Sequence, residues 1–302
     1  MLLFKKESGL LSPLKEGPFK LEKEMQKIFE SNLGLLTNLK LVKSEFTIKS
    51  NRIDTLAFDS ETKAFIIIEY KRGHNYSVID QGVSYLNLML EHKAEFIVEY
   101  NETQQEQIRR TDVDWSQSKI IFVSPSFNDF QKQSTNFKDL AIELWEFRQF
   151  ESGIMVINPI RKSKSAPSIK QFQPDEQSEI GKVANEIKVY TEEDHLSNKS
   201  EMVKELYETY KNAILNLTED VSVVPKKLYV SFEKNKRIIA DIIVQTQELK
   251  LYISTQFSEF KDLQNIGVHM NDKTKWGRGY YQVIIKDTRK IEYIMSLVKQ
   301  AL

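Results

Sequence analysis

The sequence contains no cysteine, so disulfides and thiolate metal sites are excluded. It has no long apolar run either. Ala64 to Ile68, the longest such run near the middle of the chain, falls far short of the ~20 residues a membrane-spanning helix needs. Met1-Leu2-Leu3-Phe4-Lys5-Lys6 carries its charge after its apolar residues, the reverse of a secretory signal, and no long apolar region follows. A cytoplasmic location without a membrane partner is the expectation. Net charge is absent as well, because 43 Lys and Arg balance 43 Asp and Glu. The chain as a whole therefore has no general attraction for nucleic acid, and any such surface must be a local patch or be helped by a metal ion's own charge. No internal repeat relates the two halves.

What is present is ordinary for a soluble globular protein. Of 302 residues, 40% are hydrophobic and 28% charged, and the length suits two domains. Leu21 to Leu36 places Leu21, Met25, Ile28, Phe29 and Leu33 at helical spacing. Phe46 to Ile48, Ile53 to Asp59 and Ala64 to Lys71 read as strands, Ser77 to Lys93 as a helix, and Glu95 to Tyr100 as a further strand. Lys119 to Val123 is strand-like. A short helical piece follows Pro125, and Ala141 to Phe147 and Gly153 to Ile157 are strand candidates. This order predicts a mixed α/β sheet in a domain spanning residues 1–160. Arg161 onward is polar and proline-containing, and residues 161–190 read as a linker. Residues 191–302 form a second, smaller α+β pattern. It has a helix over Ser200 to Leu217, strands at Lys227 to Glu233, Ile238 to Val244, Glu248 to Ile253 and Tyr280 to Ile285, and a closing helix from Ile291.

The chemistry concentrates in Arg52-Ile53-Asp54-Thr55-Leu56-Ala57-Phe58-Asp59 and Phe65-Ile66-Ile67-Ile68-Glu69-Tyr70-Lys71. The loop Ser60 to Lys63 is short enough for a hairpin, and a turn centred between Glu61 and Thr62 sets Asp54 opposite Glu69. Their Cβ atoms would then lie roughly 4.5–5.5 Å apart, with Lys71 on the same face. Opposed carboxylates repel, and that repulsion becomes useful when a hard divalent cation lies between them. A lysine beside them suits stabilisation of a water or a phosphoryl group. Leu56, Phe58, Phe65 and Ile67 are expected on that face, and Ile53, Ala57, Ile66, Ile68 and Tyr70 on the other. The charges would therefore end a sheet covered on both sides and need partners. A structural salt bridge from Lys71 to either acid is the plainer alternative.

Asp54 followed by Glu69-x-Lys71 resembles the motif of the PD-(D/E)xK nuclease superfamily, over about Phe19 to Ile160, with Ile53-Asp54 where many members have Pro-Asp. The resemblance implies a restriction-endonuclease-like αβββαβ core and Mg²⁺- or Mn²⁺-dependent hydrolysis of phosphodiester bonds, with nucleic acid as partner and DNA favoured. It implies a helical acid as a further ligand, for which Glu22 is preferred over Glu24, and a polar residue on the later helix, for which Gln81 fits. Tyr85, four residues on and on the same helix face, is a nucleic-acid contact candidate that also fits core packing with Val78 and Met89. His74, just past the strand, is another. Nucleases that cut both strands often dimerise, so a homodimer is one expectation. The opposing function is a binding module that keeps the acids for structure.

The second half resembles the DUF5655 type of domain, found in chains labelled predicted transport proteins, over about Ser200 to Leu302. The residues that carry the resemblance are Lys227 to Phe232, Leu249 to Ile253 and Lys275-Trp276-Gly277-Arg278-Gly279-Tyr280. Lys275, Trp276 and Arg278 form a basic, aromatic loop with the chemistry to stack a base and hold a phosphate. Packing of Trp276 on its own core is the plainer alternative.

Overall fold

The computed structural model describes residues 3–73, 77–163, 165–169, 178–235, 237–255, 260–270 and 279–302. The chain divides into two units, Met1–Val189 and Tyr190–Leu302. Among the described residues no helix is long and apolar enough to cross a membrane.

The first unit opens with a hairpin of β1 (Phe4–Glu7) and β2 (Leu10–Pro13), which the composition of this polar stretch does not announce. Next come α1 (Glu22–Ser31) and α2 (Leu33–Thr37). They replace the single expected helix because Asn32 leaves the helical region, its side-chain amide donating to the Ile28 carbonyl at 2.8 Å. β3 (Lys40–Ile48), β4 (Asn51–Asp59) and β5 (Ala64–Tyr70) are followed by α3 (Val78–Glu91) and α4 (Lys93–Gln104). β6 (Lys119–Ser124), α5 (Asp129–Ser134), β7 (Ile142–Gln149), β8 (Met155–Ile160) and α6 (Glu179–Glu186) complete the unit.

The strands form one mixed sheet in the order β3-β4-β5-β6-β7-β8. Pairing is antiparallel through β3, β4 and β5, parallel from β5 through β6 to β7, and antiparallel again at β8. The sheet is covered on both faces. On one, Met25 and Phe29 of α1 pack with Ala57, Ile66, Ile68, Tyr70 and Trp145. On the other, α3, α4 and α6 cover Leu56, Phe58, Phe65, Ile67 and Phe122. β5 is buried throughout, as an inner strand of a sheet covered on both faces should be.

Three further expectations change. Glu95 to Tyr100 is helical, inside α4. Phe96, Ile97 and Tyr100 are buried at helical spacing while Val98 stays 53% exposed, and the contact of Phe96 with Phe46 (ring centroids 5.2 Å apart) overrides the strand-like composition. Ile53 packs on the α3 face with Leu56, not opposite it. The left-handed backbone of Glu45 (φ 55°), between the pairs Ser44–Thr55 and Phe46–Ile53, interrupts the alternation there. Part of the stretch expected as linker also packs: Val183, Ala184 and Ile187 join the core of the first unit, together with Ile169.

The second unit contains α7 (Glu192–Leu196), α8 (Glu201–Leu215), β9 (Val221–Pro225), β10 (Val230–Lys234), β11 (Arg237–Val244), β12 (Leu249–Ser254), β13 (Gly267–His269), β14 (Tyr280–Ile285) and α9 (Ile291–Lys299). Its sheet is antiparallel in the order β13-β14-β12-β11-β10-β9. Val203, Tyr207 and Tyr210 of α8 and Ile294 and Val298 of α9 bury the face formed by Val230, Phe232, Ile242, Leu251 and Val283. Gly267 lies so close to the Gln282 carbonyl that a side chain there would collide with main chain. The unit is α+β, as expected.

Candidate active site

β4 and β5 pair in the register that the short loop predicts. Asp59 lies opposite Ala64, Leu56 opposite Ile67, and Thr55 opposite Ile68. Beyond Thr55 and Ile68 the side chains take over. The Asp54 N–H donates to Glu69 Oε1 at 3.1 Å, and the Tyr70 N–H donates to Asp54 Oδ2 at 3.0 Å. Each carboxylate thus crosses to the other strand and holds a main-chain donor. Lys71 stays in the sheet through its N–H, which donates to the Val123 carbonyl at 2.9 Å. Its ammonium stands 3.5 Å from Glu69 Oε2, with the side chain 21% exposed, while Glu69 itself is 1% exposed.

Helix α3 supplies the fourth group. Ser77 caps its start by accepting from the Asp80 N–H at 3.2 Å, and the absent side chain of Gly82 lets the helix settle on Phe122 and Ile142. Gln81, beside that glycine, donates from Nε2 to Glu69 Oε2 at 3.3 Å. One turn on, the Tyr85 hydroxyl donates to the Arg52 carbonyl at 3.2 Å, so Tyr85 fastens the β3–β4 hairpin to α3. On the other side of the sheet, α1 sends Glu22 to the end of β5, where its Oε1 accepts from the Arg72 N–H at 2.7 Å. Glu24 turns back and accepts from the Lys20 N–H at 2.8 Å, at the start of its own helix. Of the two helical acids, Glu22 is the one directed toward the strand end.

Asp54, Glu69, Lys71 and Gln81 therefore meet, with Glu22 at their margin. Among the described residues no group of three or more Asp, Glu or His side chains is gathered closely enough to hold a metal ion, and the acids of the site form a pair. His74, Lys275, Trp276 and Arg278 lie outside the described residues.

The electrostatics reflect crowding. Burial pushes the Glu69 carboxyl up to about 8, and the charge of Asp54 adds to the rise. Asp54 is raised too, by burial first, although the Tyr70 N–H and the Lys71 charge pull the other way. The Tyr85 phenol is raised by burial and then by the Glu69 charge.

The sequence reading missed a second polar layer behind the acids. Gln26 of α1, 3% exposed, donates from Nε2 to the Asp54 carbonyl at 2.8 Å and reaches Glu30 Oε1 at 3.0 Å and Ser44 Oγ at 3.2 Å. Thr55 Oγ1 donates to the same Glu30 oxygen at 2.5 Å and lies 3.3 Å from the Tyr70 hydroxyl. The signal in the sequence was a glutamine directly after Met25, inside the apolar stripe.

A protein of Haemophilus influenzae, described as uncharacterized, is 53% identical over 302 residues, covering 100% of this chain and 99% of that one. The chain belongs to the family of that protein. Residues 192–302 of this chain match the domain of unknown function DUF5655, in agreement with the expected resemblance of the second half. Among solved structures, a repair endonuclease from Pyrococcus abyssi is similar at 18% identity with a TM-score of 0.23, over 40% of this chain and 44% of that one. The EndoMS–dsDNA complex is similar at 18% identity with a TM-score of 0.22, over 38% and 42% of the respective chains. The chain thus spans less than half the length of either structure.

Proposed function

We propose that the first unit is a metal-dependent nuclease that hydrolyses phosphodiester bonds, with DNA as its first candidate substrate. The observation that carries this reading is a pair of crowded carboxylates, Asp54 and Glu69, at a strand end where Lys71 and Gln81 also converge. Burial disfavours both charges, and the Asp54 charge repels that of Glu69 as well. A hard divalent cation takes oxygen ligands and would offset that repulsion, so the donor set fits Mg²⁺ or Mn²⁺. Asp54 and Glu69 would hold it, joined by Glu22 once that carboxylate leaves the Arg72 N–H and by a main-chain carbonyl near Tyr70. When bound, such a cation supplies Lewis acidity, activating water and neutralising phosphate charge.

The remaining work falls to the chain's own groups. The Lys71 ammonium, partly open to solvent, is placed to hold the attacking water or to stabilise charge developing on the phosphate. Gln81 steadies Glu69 by donating to its Oε2, and its amide also lies against the Tyr85 hydroxyl. Lys23 and Arg52 flank the acids. Both pair with Glu45, at 2.5 and 3.3 Å, and the Glu45 charge reaches Asp54. Their side chains are 62% and 65% exposed, a local cationic rim of the kind that a chain without net charge needs to attract a polyanion.

A second reading has its own observation. Each acid accepts a main-chain N–H, so the pair also works as a staple in a fold that binds nucleic acid without cutting it. Incubation with labelled single- and double-stranded DNA and RNA, in Mg²⁺, Mn²⁺ or EDTA, decides between the two. Nuclease activity predicts cleavage that EDTA and Glu69→Ala both abolish. Binding without cleavage of every substrate in either metal would establish the staple and remove the enzyme.

A further inference from the structure

The Asp54 main chain is held in an unusual way. It sits opposite Glu45, whose left-handed backbone (φ 55°) interrupts regular pairing with β3 between Ser44–Thr55 and Phe46–Ile53. The Asp54 carbonyl is satisfied by the Gln26 side-chain amide at 2.8 Å, its N–H by Glu69 Oε1 at 3.1 Å, and its carboxylate accepts from the Tyr70 N–H at 3.0 Å. Gln26 is in turn fixed by Glu30, and Glu30 by Thr55, the residue next to Asp54. Gln26 and Thr55 are buried among Met25, Phe29, Ile68 and Tyr70, where an unsatisfied amide or hydroxyl is costly. A buried glutamine on a helix, spanning to the main chain of one particular strand residue and braced by a half-buried glutamate, does nothing for the core that an apolar residue would not do better.

We infer that Gln26, braced by Glu30, is a positioning residue that sets the aim of the Asp54 carboxylate from behind the sheet. It does so through the Asp54 carbonyl, without touching substrate. Turning Asp54 as a residue, which the anchored carbonyl resists, would carry its N–H off Glu69 and its carboxylate off Tyr70 together, so one helix side chain bears on both members of the acidic pair. This inference rests on the nuclease reading for its consequence, but its structural link can be tested without it.

The test is Gln26→Met, which keeps volume and hydrophobic burial but removes the donor. In the full chain, hydrogen exchange at the Asp54 and Tyr70 amides should accelerate ~10-fold or more while that of Ile67 in the same strand stays slow. Nuclease turnover should fall ~10- to 100-fold at unchanged KM, the loss expected when a catalytic group is displaced by about 1 Å. A general loss of structure would speed exchange at Ile67 as well and would not separate turnover from KM. Thr55→Val, which removes the hydroxyl that holds Glu30, should act in the same direction more weakly, and it decides the matter should Gln26→Met not fold. Asp54 and Tyr70 amides that exchange as in the wild type in either folded variant overturn the inference. If the wild type cuts no substrate, the nuclease reading fails, and the amide exchange alone still decides whether Gln26 sets Asp54.

Discussion

Two acidic sites, one in each unit, use the same side-chain chemistry to opposite ends. In the second unit, Asp262 collects donors. The hydroxyls of Tyr281 and Tyr293 reach it at 2.5 Å each, and the N–H groups of Ile266 and Gln264 at 2.7 and 2.9 Å. Burial opposes its charge, but these donors outweigh burial and carry the carboxyl down to about 2. In the first unit, Glu69 and Asp54 receive one main-chain donor each and face one another, and both carboxyls rise. Asp262 is a settled charge that ties a loop to α9 and β14. The Asp54–Glu69 pair stores unfavourable electrostatics at a strand end, which is where perturbed acids mark a candidate for chemistry and not for stability.

The sharpest way to break this comparison is through activity. Lys71→Ala should lower metal-dependent cleavage at least ~100-fold, the usual loss when a charge-stabilising donor is removed, while the thermal midpoint stays close to wild type. Undiminished cleavage by the folded variant would take Lys71 out of the mechanism. A pH series comes next, because the two sites should respond in opposite senses. The raised Glu69 carboxyl lets the folded state keep a proton that the unfolded chain releases near 4.5. Its contribution is therefore complete below that value and is lost as pH climbs toward about 8. The contribution of Asp262 is present above 3.8 and is lost as pH falls toward about 2. Hydrogen exchange, read separately for the two sheets in EDTA, should show the first unit weakening on the alkaline side and the second on the acid side. Mg²⁺ should restore the first unit more at pH 8 than at pH 6, and Glu69→Gln should flatten its alkaline slope. A metal effect equal at both values would uncouple cation binding from the acidic pair. The smallest effect is expected from Asp262→Ala. It strips a charged acceptor from two tyrosines and should cost the second unit about 1–3 kcal/mol in urea unfolding, with no change in cleavage.

Much of the first unit was legible because its signals are local. The loop Ser60 to Lys63 is short, so the register of β4 on β5, and with it the meeting of Asp54 and Glu69, follows from counting along one hairpin. Gln81 is singled out because the superfamily resemblance implies a polar residue on this helix, and its amide stands 3.3 Å from Glu69. Other features depend on partners far along the chain. Glu95 to Tyr100 has the composition of a strand, and only its packing against Phe46 and Phe65 makes it a helix. Gln26 finds its partners at Ser44 and Asp54, across 18 and 28 residues, and no local pattern announces them. The polar stretch after Arg161 hides Ala166, Ile169 and Val183, too widely spaced to read as a core segment but buried all the same.

The parallel seam between β5 and β6 has a bearing on how the protein comes into being. The β4–β5 hairpin closes over a few residues, but Lys71 is anchored by Val123, and Glu69 lies beside Phe122 in the same seam. Contacts that close long loops form slowly compared with local ones. A nascent chain would thus carry both acids early and acquire a fixed lysine only after some fifty further residues have been made and docked. The constellation is completed only by the finished fold, so under the proposed nuclease function an unfinished copy would be inert.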